Sequence, residues 1–164
     1  MSPLALATGD LLTLTNLGAI VFPHLSLAAD QPDRASRELD ATLAQWTEDG
    51  FHIQHMAAVV SRAHIHLYTG DGRSALDHMN RSWPALQRAL QLRSQIIRIM
   101  MLDLRARVSL AAARDASDAP RLIARARRDA QSLRRNRSPA PRPACEGLHA
   151  SPAGLSRAKR CSPP

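Results

Sequence analysis

Apolar residues recur every three or four positions along most of the chain, and strict alternation is nearly absent. The pattern therefore predicts helices rather than strands. A first helical pattern over residues 10–29 carries Leu11, Leu12, Leu14, Leu17, Ile20 and Val21, with Asp10 as its N-cap and Pro23 expected to kink or break it. A second, over residues 32–49, opens on Pro32 and strings Ala35, Leu39, Leu43 and Trp46 along one stripe before stopping at Gly50. A third, over 52–69, puts Ile53, Met56, Ala57, Val60, Ala63, His64 and Leu67 on one face and ends at Gly70. The fourth opens near Asp71, carries Ala75, Leu76 and Met79, and is expected to bend or stop at Trp83-Pro84; Leu86, Leu90 and Leu92 continue its apolar pattern. The fifth, over 94–115, is expected to be the longest. Its broad stripe of Ile96, Ile97, Met100, Met101, Leu104, Val108 and Ala111 suits two neighbours. The sixth starts after Ser117 or Asp118, has Pro120 in its first turn, and ends near Leu133.

A repeat underlies these helices. Leu27-Ala-Ala-Asp-Gln-Pro-Asp-Arg-Ala35 resembles Leu67-Tyr-Thr-Gly-Asp-Gly-Arg-Ser-Ala75, displaced by 40 residues, and a weaker third copy covers 110–119. Periods near this length belong to two-helix repeats, whose pairs stack because one pair cannot bury both of its faces. The expected fold is all-α: a superhelix, or solenoid, of antiparallel helix pairs of the tetratricopeptide-like (TPR-like) kind over residues 1–135. With no cap at either end, exposed apolar faces are expected on the first and last helices.

Charge separates this region from the rest. Residues 1–120 hold 11 Arg and 12 acidic residues, whereas residues 121–164 hold 11 basic and 2 acidic residues, so the excess of +8 belongs to the C-terminal quarter. Residues 139–164 contain six of the eleven prolines and no apolar period, which predicts a disordered tail over 136–164. Cys145 and Cys161 both lie there and match no metal or redox spacing. The first basic residue is Arg34, too late for the positive start of a signal peptide. Polar residues and Pro23 interrupt the apolar stretch 11–29, which reads against a membrane span. A cytoplasmic protein is expected.

Several motifs carry a family resemblance. They are Gly9-Asp10, Asp30-Gln-Pro-Asp-Arg-Ala35, Trp46, Gly50-Phe-His-Ile-Gln-His55, Leu67-Tyr-Thr-Gly-Asp71, Trp83-Pro84 and Leu104–Ala106. The pattern resembles the helical-repeat C-terminal region of bacterial serine/threonine protein kinases from G/C-rich genomes, across about three quarters of the chain. Gly70-Asp71 followed by Ala75-Leu76 is similar to the turn within a tetratricopeptide unit. The resemblance implies a protein-contact region that follows a kinase domain, with Trp46, Gly50, Tyr68, Gly70, Asp71, Ala75, Trp83 and Pro84 marking packing and turns.

Catalytic chemistry finds no support in the residues. The chain lacks a Gly-x-Gly-x-x-Gly loop, a strand lysine, His-Arg-Asp and Asp-Phe-Gly, and its one lysine, Lys159, lies in the tail. Among His52, His55, His64, His66 and His78, the first two share a helix face at i,i+3, but no Cys or acidic pair completes a zinc set. No metal or cofactor is expected. Trp46 and Trp83 read as filling between repeats, Met100-Met101 as core, and Tyr68 as a helix-end residue with its hydroxyl on solvent or a backbone carbonyl. The expected function is a non-catalytic module that binds a protein or peptide, with no membrane role. The alternative is a nucleic-acid-binding protein working through residues 121–160, where Arg121, Arg125, Arg127, Arg128, Arg134, Arg135 and Arg137 cluster. The jump in charge and loss of period suggest a fragment whose tail is read out of frame. Translation of the other two frames beyond codon 133 should then restore an amphipathic helix; failure in both frames removes that explanation.

Overall fold

Asp30 and Gly70 lie forty residues apart, and in the computed structural model both take left-handed backbone angles, with φ of 57° and 78°. Each ends a helix by the same pair of bonds. Gln31 N–H donates to Ser26 O at 2.9 Å and Asp30 N–H to Leu27 O at 3.0 Å; Asp71 N–H donates to His66 O at 2.9 Å and Gly70 N–H to Leu67 O at 3.2 Å. The two segments matched in sequence thus form one kind of turn twice. Asp71 then caps the next helix, its carboxylate accepting from Ser74 N–H at 2.9 Å.

The structure describes residues 11–47, 49–114 and 116–137. Among them there is no strand, and six helices pack against each other. They are α1 (Leu11–Ala28), α2 (Pro32–Leu43), α3 (Ile53–Tyr68), α4 (Gly72–Arg88), α5 (Gln95–Ala112) and α6 (Ala119–Arg137). A 3₁₀ turn, Gln91–Arg93, leads into α5. Consecutive helices pair as α1–α2, α3–α4 and α5–α6, and the first helices α1, α3 and α5 also pack in succession. Asp10, both cysteines and residues 138–164 of the expected disordered tail lie outside the described residues. Residues 136 and 137, assigned to that tail from sequence, continue α6.

α3 is the central element. Met56, Val59 and Ala63 face a core shared with α4, α5 and α6, where Met79, Met101 and Leu104 are buried. Ala57, Ala58 and Ile65 face a second core with α1 and α2, built on Ala19, Leu27 and Leu39. The single face expected for this helix understates it, because Gln54 and Ser61 are buried as well.

Several expected boundaries change. α1 runs through Pro23 to Ala28, and a π-turn at Leu17–Val21 absorbs the proline, with Phe22 N–H reaching back to Leu17 O. Pro23 has no N–H for the carbonyl of Ala19, four residues earlier, and that carbonyl instead accepts the Ser61 hydroxyl of α3 at 2.5 Å. α4 continues past Pro84, which lies on its exposed side, where the missing bond faces water. α2 stops at Leu43 rather than near residue 49, because Trp46 leaves the stripe and its indole N–H turns to His52 Nδ1 at 3.3 Å. The stripe of α5 is rotated toward Met101, Leu104, Val108 and Ala112, leaving Ile96 77% exposed and Met100 on the open side. α6, with 19 residues, is longer than α5, with 18. The third turn, expected at 111–119, is a longer connection between Ala112 and Ala119, and none of its described residues is left-handed.

The last hairpin is tied down by charge. Asp129 of α6 is 3% exposed and accepts two bonds from Arg105 of α5, from Nε at 2.8 Å and Nη2 at 2.5 Å. The Arg105 guanidinium also lies 3.7 Å from the centre of the Trp83 ring of α4. One cation therefore joins three helices. Asp129→Ala would strand that cation and is expected to lower stability by about 3 kcal/mol, read as a lower denaturant midpoint at unchanged m-value. A loss under about 1 kcal/mol would contradict this account of α6.

Candidate interaction surfaces

The residues marked from sequence scatter over the fold and do not converge on one site. Gly70, Asp71 and Ala75 build the turn into α4, and Ala75 is fully buried. Gly50 also has positive φ, 82°, but in the α2–α3 connection rather than at a helix end. Tyr68 does not reach a backbone carbonyl: its hydroxyl donates to the Asp30 carboxylate at 2.7 Å and links the two equivalent turns. Trp46 does not fill the space between repeats; it is half-buried with its ring edge-on to His52, 6.0 Å between centres. Trp83 is half-buried at the rim of the larger core. Met101 is buried as expected, but its neighbour Met100 is not.

The histidines divide into separate groups. His52 and His55 are a helix start: His52 N–H donates to His55 Nδ1 at 3.0 Å, ahead of the first turn of α3. His64 lies between Arg107 of α5 and His24 of α1, a residue the sequence reading passed over. Its Nδ1 is 2.8 Å from His24 Nε2, and its Nε2 is 3.2 Å from Arg107 Nη2. Chemistry fixes the direction of this chain. Arginine only donates and the Ile20 carbonyl, 2.5 Å from His24 Nδ1, only accepts. Protons therefore run from Arg107 to His64, from His64 to His24, and from His24 to Ile20, with both rings neutral. Burial, then Arg107, then His24 push His64 down to about 4. Burial, then Arg62, hold His78 at about 4 as well. His24 and His64 are one repeat apart, and that offset was the signal by which the pair could have been found. Among the described residues, no three His, Cys, Asp or Glu side chains are placed to hold a metal ion.

The most open apolar surface belongs to α1. Leu11, Leu12, Ile20 and Leu25 are exposed, Leu25 by 60%. Leu11 and Leu25 border a groove of about 460 Å³ between α1 and α2, lined also by Leu14, Phe22 and Ala41 and closed at one side by the Arg34–Glu38 pair. The spacing of the two equivalent turns relates this surface to a buried one. Forty residues on from Leu25 is Ile65, 5% exposed and packed into the core that α1 and α2 form with α3. Leu25 is the same protrusion without a preceding hairpin over it among the described residues. Among the described residues the last helix shows no exposed apolar face like the one expected: the open side of α6 carries Arg121, Arg127, Arg128 and Gln131. α1 is also the one helix among the described residues that is long and apolar enough to cross a membrane, by length and composition.

No protein family, no curated protein and no solved structure matches this chain.

The two low histidines set a pH dependence. Each binds a proton near pH 6.5 when unfolded and only near pH 4 when folded, so the unfolded chain takes up more protons between those values. Their contribution is complete above pH 6.5 and is lost as pH falls through 4. The melting temperature should fall across this window, and the slope between pH 6.5 and 4.5 should flatten in His64→Gln/His78→Gln. A flat wild-type profile contradicts the neutral assignment.

Proposed function

We propose that the chain is a non-catalytic, TPR-like helical-repeat module that docks an amphipathic helix of a protein partner on the α1–α2 hairpin. The observation that carries this reading is the equivalence of exposed Leu25 and buried Ile65. A surface shaped by repetition to meet helices is left with its knobs uncovered, and helix-in-groove binding uses such i, i+3, i+4 and i+7 anchors. Successive packing of α1, α3 and α5, together with the two equivalent turns, supports the repeat class. The link to the regulatory region of a serine/threonine kinase rests on the sequence motifs alone, and a cytoplasmic location on the late first basic residue and the interrupted apolar stretch.

The membrane is the competing use of the same face, favoured by the length of α1. A library of displayed helical peptides, selected against the full chain, separates the two. Selected peptides should carry apolar residues at helical spacing and lose about ten-fold or more in affinity to Leu25→Arg. Binders indifferent to Leu25→Arg would remove the groove from consideration. Flotation of the full chain with neutral phospholipid vesicles, abolished by the same substitution, would assign the face to lipid instead.

A further inference from the structure

A second groove, between α4 and α6, encloses about 250 Å³ and is lined, among the described residues, by four arginines against two aspartates. Its charges are unevenly satisfied. Asp77 and Asp118 each lie 3.9 Å from Arg73. Arg121, Arg125 and Arg128 follow one another at i, i+4 and i+7, so they share one face of α6. None of these three makes an ion pair among the described residues, because Asp129, the carboxylate on their own helix, is taken by Arg105.

Arg125 is fixed before any ligand arrives. Its Nε donates to the Ser109 hydroxyl at 3.1 Å and its Nη1 to Asn80 Oδ1 at 3.0 Å, while Nη2 is buried with no acceptor among the described residues. Burial and then the neighbouring Arg105 lower its pKa, against an opposing pull from Asp129. A guanidinium held by neutral partners, with two exposed guanidinia on the same helix face, is a preorganised set of donors for a forked oxyanion.

We propose that this groove binds an oxyanion, phosphate or carboxylate, carried by a peptide partner. Two features favour a peptide over a nucleic acid. No aromatic side chain lines the groove to stack a base, and Asp77 and Asp118 would repel a continuous run of phosphates. A single acidic group on an extended segment meets the arginines and avoids the aspartates. The groove is separate from the α1–α2 surface, so this assignment stands or falls without it.

The test uses the full chain with inorganic phosphate and with succinate, each compared with sodium chloride at equal ionic strength. Either oxyanion should raise the melting temperature in a saturable way. Arg121→Gln/Arg128→Gln changes two exposed residues outside the core and should keep the wild-type melting temperature in chloride. It should weaken the apparent affinity for the oxyanion by about ten-fold or more. Arg125→Gln should abolish the response; if that variant melts early, the double variant still decides. A response to phosphate and succinate no larger than to chloride, or an unchanged affinity in the double variant, overturns the proposal. Tighter binding of a short single-stranded oligonucleotide, abolished in the double variant, also overturns it, in favour of nucleic acid.

Discussion

The close approach of α3 to its neighbours governs this structure. Ala57, Ala58 and Ala63 on α3, Ala19 on α1, Ala35 on α2 and Ala75 on α4 are all buried, and four of the six show no exposed surface. Their small side chains let backbones come near enough for polar atoms to meet across helices. Gly72 shows how tight the limit is, since a Cβ there would fall 2.5 Å from the Ala111 backbone carbon. At that spacing a polar atom left inside without a partner is costly, because water cannot reach it.

The polar seam along α3 follows from this constraint. Gln54 donates to Asn16 at 3.2 Å, Ser61 to the Ala19 carbonyl at 2.5 Å, and His64 to His24 at 2.8 Å. The partners are 38, 42 and 40 residues apart, close to the forty residues that separate the two equivalent turns. The seam also resolves the defect that Pro23 creates, since the carbonyl freed by the proline is the one Ser61 finds. On the opposite side, Arg107 extends the same chain to α5. A fully satisfied polar row gives the stack a register that apolar contact alone would not impose.

The two ends of the stack differ in kind. α1 exposes leucines over a groove, whereas α6 exposes arginines and uses Arg125 inward, toward Asn80 and Ser109.

Six helices and the two matching turns, forty residues apart, were legible in the order of residues alone, though not all helix bounds were. These depend on local properties: apolar spacing, a residue able to take positive φ, and a capping Asp71. The sequence also placed the arginines of α6 at one-face spacing without showing which would face α4. The tertiary structure decided what local rules cannot see. It carried α1 through Pro23 because a neighbour supplied the missing donor, and it drew Trp46 off its stripe to His52. It split Met100 from Met101 by the rotation of α5 between its neighbours. It joined His24 to His64 and Arg105 to Asp129, pairs whose meaning lies in the distance between helices. Burial on two faces of α3 is likewise a property of the stack, and the apolar pattern of one helix records only where water is excluded, not how many neighbours exclude it.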